Sequence, residues 1–215
     1  MAEERNITDI VRYGQKAANL KVRGEVVECA PFLTFQFQVD EGEKHTISSH
    51  LIGAYNIDNM LAAITIGLEF GVSIDAICHA LENYIPSNNR SQFEQTADNK
   101  LIVDAYNANP SSMMAALQNF NIMKADNKMA ILGDMRELGE VSEEEHQKIV
   151  DFIASTTINN VWLVGAEFAK TNCNFRKFDD IEQVKAAIAE NKPKNHCILI
   201  KGSNGIKLFQ LPELL

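Results

Sequence analysis

The sequence has no Cys-x-x-Cys pair. Its four cysteines, Cys29, Cys78, Cys173 and Cys197, stand far apart and beside no histidine cluster, which argues against zinc sites and redox dithiols and for free thiols in a reducing compartment. No run of Lys or Arg occurs, and 20 basic residues against 29 acidic ones leave a net charge of -9, so general nucleic-acid binding is not expected. Long apolar runs are missing too. The longest apolar or near-apolar one, Met60 to Leu68, falls far short of the ~20 residues that span a bilayer. The N-terminal MAEERNITDI has no apolar segment behind its charges, so no secretory signal is read there and a cytoplasmic location without membrane insertion is expected. Two phosphate-binding signatures are absent. There is no G-x-x-x-x-G-K-[ST] (KGSNGIK is a superficial echo) and no G-x-G-x-x-G after the first strand of the α/β part, which leaves neither a P-loop cradle nor a nicotinamide-type turn.

What is present is ordinary globular composition, 46% hydrophobic and 23% charged over 215 residues, enough for one large domain or two small ones. In FLTFQFQVD, Phe35, Phe37 and Val39 alternate with Gln36 and Gln38, the period-two pattern of a strand with one wet face. Glu41, Gly42 and Glu43 make a turn, and KHTISSHLIG returns as the second arm of a hairpin. From Asn56 the period becomes helical, with Ile57, Met60, Leu61, Ile64 and Leu68 on one face and Gly71 at the end; Ser73 caps a second helix that Pro86 stops. PSNNRS is the candidate linker. Beyond it LIVDA, MAILG, VWLVG and HCILIK alternate with helical stretches starting near Pro110, Glu143 and Asp180. Short apolar strands alternating with helices predict a doubly wound parallel sheet. The expectation is an α/β protein: a β-hairpin plus two helices in residues 1–87, then the wound sheet in 88–215.

Ligands of such sheets bind beyond the carboxyl ends of the strands, and those ends carry Asp104, Tyr106, Asn107 and Asn109; Gly133, Asp134 and Glu137; Gly165; and Lys201, Gly202 and Ser203. Some of these have simpler readings. Asn109 before Pro110 is an N-cap with proline at the first helical position. Ser142 and Glu145 read as a capping box, with Glu143 and Glu144 complementing the helix dipole. His146 faces either the crevice or water. Asn56 and Asn59 project from one side of a helix start; capping accounts for Asn56, whereas the amide of Asn59 matches the N6/N7 edge of adenine. Arg90 is either a solvated linker charge or a fork for phosphate or ribose.

The segments LIGAYNIDNMLAAITIGLEFGVSIDAI, NNRSQ, VDAYNANPSSMMAAL, AILGDMRELG and LIKGSNGIKL, in that order, resemble the Mur ligases from about Arg12 onward. Within that family D-x-Y-N-A-N-P and G-D-M-x-E-L-G resemble the member that joins D-Ala-D-Ala to UDP-N-acetylmuramoyl-tripeptide. The resemblance implies the last part of a central ATPase domain followed by a Rossmann-like C-terminal domain, a fragment inactive alone because the P-loop lies upstream. It implies ATP and Mg²⁺, with the metal ligands mainly in that upstream part, an acyl-phosphate intermediate, and small-molecule substrates only. By position, Asn56, Asn59, Arg90 and Asp104 match nucleotide-binding residues. Asn107, Asn109, Asp134, Glu137, Lys201 and Ser203 would border the dipeptide, with Lys201 on its carboxylate. Tyr55 stands where many members have histidine, and Asn204 where K-G-S-R is usual. Two other readings are a folylpolyglutamate synthetase-like ligase, against which D-A-Y-N-A-N counts, and a non-catalytic nucleotide- or dipeptide-binding module.

Overall fold

The computed structural model describes residues 10–29, 31–87 and 89–215; most of the N-terminal stretch read against a signal sequence lies outside them. The chain divides into two units, Met1–Ile85 and Pro86–Leu215.

In the first unit, β1 (Tyr13–Gly14), β2 (Val22–Cys29), β3 (Phe32–Val39) and β4 (Lys44–Ile52) form one sheet in that order. β1 runs parallel to β2, while β2, β3 and β4 pair antiparallel. The helices α1 (Ile57–Glu69) and α2 (Ile74–Asn83) follow. Alternation decides the faces: Leu33, Phe35 and Phe37 are buried with Ile47, Met60, Leu61 and Ile64 in one apolar cluster. On the opposite face, Gln36 Nε2 donates to Thr46 Oγ1 across the strands at 3.1 Å. The hairpin expected from β3 and β4 is therefore the middle and edge of a larger sheet. The first fifty residues read as β-structure, but β2 was not delimited within them because Arg23, Glu25 and Gly24 thin its apolar pattern. A Cβ on Gly24 would fall 2.6 Å from Leu61 Cδ2, so a larger residue there would displace Leu61. Ser73 Oγ accepts the Ala76 N–H and caps α2 as expected.

In the second unit the elements are β5 (Gln92–Gln95), β6 (Lys100–Asp104), α3 (Pro110–Ile122), β7 (Lys128–Gly133), α4 (Ser142–Ala154), β8 (Asn160–Val164), α5 (Ala166–Ala169), β9 (Arg176–Phe178), α6 (Ile181–Glu190) and β10 (Cys197–Lys201). The sheet order is β5-β6-β10-β7-β8-β9. All neighbours are parallel except β5, which pairs antiparallel with β6. The chain steps outward through β7, β8 and β9, then returns through α6 to insert β10 beside β6. Right-handed crossovers place α6 on the face opposite α3 and α4. Val184, Ala187 and Ile188 of α6 accordingly cluster with Leu101, Val103, Ile131 and Ile200. Their sheet neighbours Ile102, Leu132 and Leu199, which point the other way, are buried as well. The short edge strands β5 and β9 were not legible as strands.

One expected local feature is corrected. Ser142 and Glu145 form no capping box: a 3₁₀ turn at Gly139–Val141 runs straight into α4, so Ser142 already has helical φ and ψ and Val141 occupies the N-cap. Glu145 pairs with Lys148 instead.

Candidate functional site

β10 lies between β6 and β7, and the chain leaves it toward the face opposite the one taken after its neighbours. The carboxyl end of β10 is thus the place where strand connections diverge, the usual ligand crevice of an open sheet. Lys201 and Asp104 are register partners there. Lys201 Nζ donates to Asp104 Oδ2 at 2.5 Å and reaches the Asn107 carbonyl at 3.5 Å. The lysine side chain is 1% exposed and the aspartate 16%. A buried ammonium is tolerated only with such a partner, and Asp104 Oδ1 is held in turn by the Ser91 N–H at 3.3 Å.

The loop after β7 is tied on two sides. The Asp134 carboxylate accepts the Glu167 and Phe168 N–H groups at 2.9 Å each, satisfying the open amides that begin α5. Its backbone joins β8 through Val164 and the β10 end through Ser203. Ser203 Oγ accepts the Arg136 N–H at 3.0 Å. His146 is fully buried. Its Nε2 accepts the Met135 N–H at 3.0 Å and its Nδ1 lies 2.7 Å from the Ser142 carbonyl, a pair of contacts that selects the Nδ1–H tautomer. The imidazole thus faces neither crevice nor water; it braces the loop. Ser142 Oγ donates to Glu167 Oε2 at 2.9 Å, and hydrogen bonds from Lys170 first and Ser142 second hold the Glu167 carboxyl below its ordinary range. Gly133 and Gly202 meet backbone to backbone: a Cβ on Gly202 would sit 2.9 Å from the Gly133 Cα.

The structure brings Asp104, Asn107, Asp134, Lys201 and Ser203 onto the carboxyl ends of three adjacent strands, linked by hydrogen bonds. Exposed groups on the same rim are Asn107, Glu137 (φ 66°) and Arg90. The Arg90 guanidinium stacks 4.0 Å from the Tyr106 ring centroid. Both line a groove of about 490 Å³ with Asn89, Asn204 and Phe209. Asn109 is an N-cap, its Oδ1 accepting the Ser112 N–H at 2.8 Å in a reciprocal box with the Ser112 hydroxyl. Asn56 and Asn59 belong to the first unit. Asn56 is buried but is no side-chain cap: its Nδ2 donates to the Ile52 carbonyl at 2.8 Å, and its Oδ1 accepts from Asn59 Nδ2 at 3.1 Å. Asn59 itself is exposed. Sequence reasoning did not single out Arg136, whose only signal is the variable position inside G-D-M-x-E-L-G, and it named His146 without its bracing role. Among the described residues no group of three or more His, Cys, Asp and Glu side chains is placed to hold a metal ion, and no helix is long and apolar enough to cross a membrane.

Residues 89–204 match the family model described as Mur ligase, glutamate ligase domain. UDP-N-acetylmuramoyl-tripeptide--D-alanyl-D-alanine ligase of Rickettsia prowazekii is 28% identical over 220 residues, covering 97% of this chain and 47% of its own length. The ligase of the same name from Bacillus subtilis is 31% identical over 184 residues, covering 80% and 40%. The crystal structure of MurF from Acinetobacter baumannii superposes with a TM-score of 0.80 at 25% identity, covering 98% of this chain and 48% of that one. The chain spans about half the length of the relatives it matches.

Proposed function

The chain belongs to the Mur ligase family, and from that premise we propose that it is the carboxyl-terminal part of an ATP-dependent amide ligase that adds D-Ala-D-Ala to UDP-N-acetylmuramoyl-tripeptide in peptidoglycan synthesis. The reading is supported by the D-x-Y-N-A-N-P and G-D-M-x-E-L-G segments, which lie at the ends of β6 and β7 on either side of β10. The observation that carries it is the joining of these ends through Asp104–Lys201 and Ser203–Arg136 at the point where the sheet connections diverge.

The chemistry has two parts. The tripeptide carboxylate attacks the γ-phosphorus of ATP, releasing ADP and forming an acyl phosphate; the dipeptide amine then attacks the acyl carbon and expels phosphate. Such phosphoryl transfer depends on positioning and charge neutralisation, to which Mg²⁺ contributes when bound. On the present residues, Arg90 is suited to the nucleotide: stacking on Tyr106 fixes its plane while its in-plane N–H donors stay available for phosphate. Asp104, oriented by Lys201, offers acceptor capacity to ribose hydroxyls. Asn59 is the adenine candidate, with Asn56 fixing its amide. Asn107 and Glu137 are the dipeptide candidates with exposed side chains. Lys201 acts through Asp104, and Asp134, Ser203 and Asn109 shape the loops.

A phosphate-release assay with this chain, ATP, Mg²⁺, UDP-N-acetylmuramoyl-tripeptide and D-Ala-D-Ala should give no turnover above the blank; measurable turnover overturns the partial-ligase reading. Titration with ATP should shift the amide resonances of Arg90, Ser91 and Tyr106, and Arg90→Gln should weaken that response about tenfold, the size of one charge-assisted hydrogen bond. Unmoved resonances would remove the nucleotide assignment.

A further inference from the structure

If Lys201 is committed to Asp104, the carboxylate of an incoming amino acid or dipeptide needs a different cation. We infer that this cation is Arg136, which binds the acceptor's carboxylate at the β7 and β10 ends. The inference rests on the reading of those ends as the acceptor site. Arg136 is exposed, and among the described residues no carboxylate lies within ion-pair distance of its guanidinium. It is anchored twice. Its backbone N–H donates to Ser203 Oγ at 3.0 Å, and one Nη2 hydrogen reaches the Gly205 carbonyl at 3.3 Å. The remaining N–H groups of the fork are left for an anion, and a planar fork matches a carboxylate bidentately.

Gly205 makes this placement possible. A Cβ there would fall 2.3 Å from Nη1, 2.4 Å from Cζ and 2.9 Å from Nη2, so a larger residue would lift the guanidinium off the chain. The neighbouring position carries the complementary observation. Where the resemblance expects arginine after K-G-S, this chain has the uncharged Asn204, and a guanidinium supplied from the other strand end lies against the very next residue. The charge has changed strands while staying on the same rim. The variable residue of G-D-M-x-E-L-G is therefore a recognition residue in this protein.

The test is a nitrogen-15 NMR titration of the 215-residue chain with three probes: D-Ala-D-Ala, its C-terminal amide, and inorganic phosphate. D-Ala-D-Ala should shift the Arg136 Nε–H and the Gly205 amide, and the amide, lacking the carboxylate, should bind about tenfold more weakly. Arg136→Gln should lose the same factor, Arg136→Lys less, and Gly205→Ala should match Arg136→Gln although it keeps the arginine. Preserved spectral dispersion verifies that each variant is folded. Equal binding of dipeptide and amide, or full binding by Arg136→Gln, overturns the inference. So does a response of Arg136 to phosphate equal to its response to the dipeptide, which would make it a phosphate ligand. Dipeptide shifts at Asn107 and Glu137 with Arg136 and Gly205 unmoved reject Arg136 while leaving the acceptor site in place; no shift at any of them rejects both.

Discussion

The four-stranded sheet of the first unit is buried on one face, whereas the six-stranded sheet of the second is buried on both. In β3, Phe35 has no exposed surface while its neighbour Gln36 bonds across a wet face; in β7, Ile131 and Leu132 are both fully buried. The same contrast governs polar groups. The first unit's linked pair, buried Asn56 and exposed Asn59, is uncharged, and the second unit's pair, Asp104 and Lys201, is ionic. A sheet covered on both sides leaves polar chemistry only its strand ends, so charge collects there and must be internally matched.

Substitution should expose this difference most strongly in the cores. Phe35→Ala is expected to cost about 3–5 kcal/mol and Gln36→Ala only about 0.5, while Ile131→Ala and Leu132→Ala each cost about 2–5. The single tryptophan, Trp162, lies in the second unit's core, so its fluorescence in denaturant reports that unit and amide exchange reports the first. A tolerant Leu132 would break the comparison. Next in size, Asp104→Ala should destabilise by ~3 kcal/mol because it strands a buried ammonium, and the double change with Lys201→Met should recover most of that. Urea midpoints for the four-member cycle measure it, and additive losses would mean the pair is not coupled. His146→Leu should cost about 1–3 kcal/mol by leaving the Met135 N–H without its acceptor, with faster exchange of that amide as the local sign.

The smallest expected effect concerns pH. The Glu167 carboxyl is held below its ordinary value of 4.5, so its contribution to stability is present above that pH and lost as pH falls through the folded value. Glu167→Gln should flatten acid unfolding slightly below about pH 4.5, read from urea midpoints across the acid range.

Much of this was legible in the sequence because the signals were periodic or punctuated. The alternation around Phe35, the helical spacing from Ile57, and Asn109 ahead of Pro110 each dictate one local conformation. The four apolar runs of the second unit were equally plain. β9 is three residues long with two of them charged, too short for a period to register. The misread Ser142 shows a different limit: S-x-x-E describes a cap only where the preceding backbone is extended, and the turn at Gly139 was not visible in the letters. The strand-end residues were identified but not their partners. Asp134 and Lys201 have the side chains a ligand would want, and tertiary contacts had already claimed them. Nothing local announces that α5 will offer two amides to Asp134, or that Lys201 will be sealed from water.

The contact of Gly133 with Gly202 constrains how such a protein can be rebuilt. With no side chain between them to absorb a displacement, a change in either strand exit is transmitted directly to the other. A chimaera that imports one loop from a relative should fail unless its counterpart travels with it, so specificity at this rim is inherited as a block.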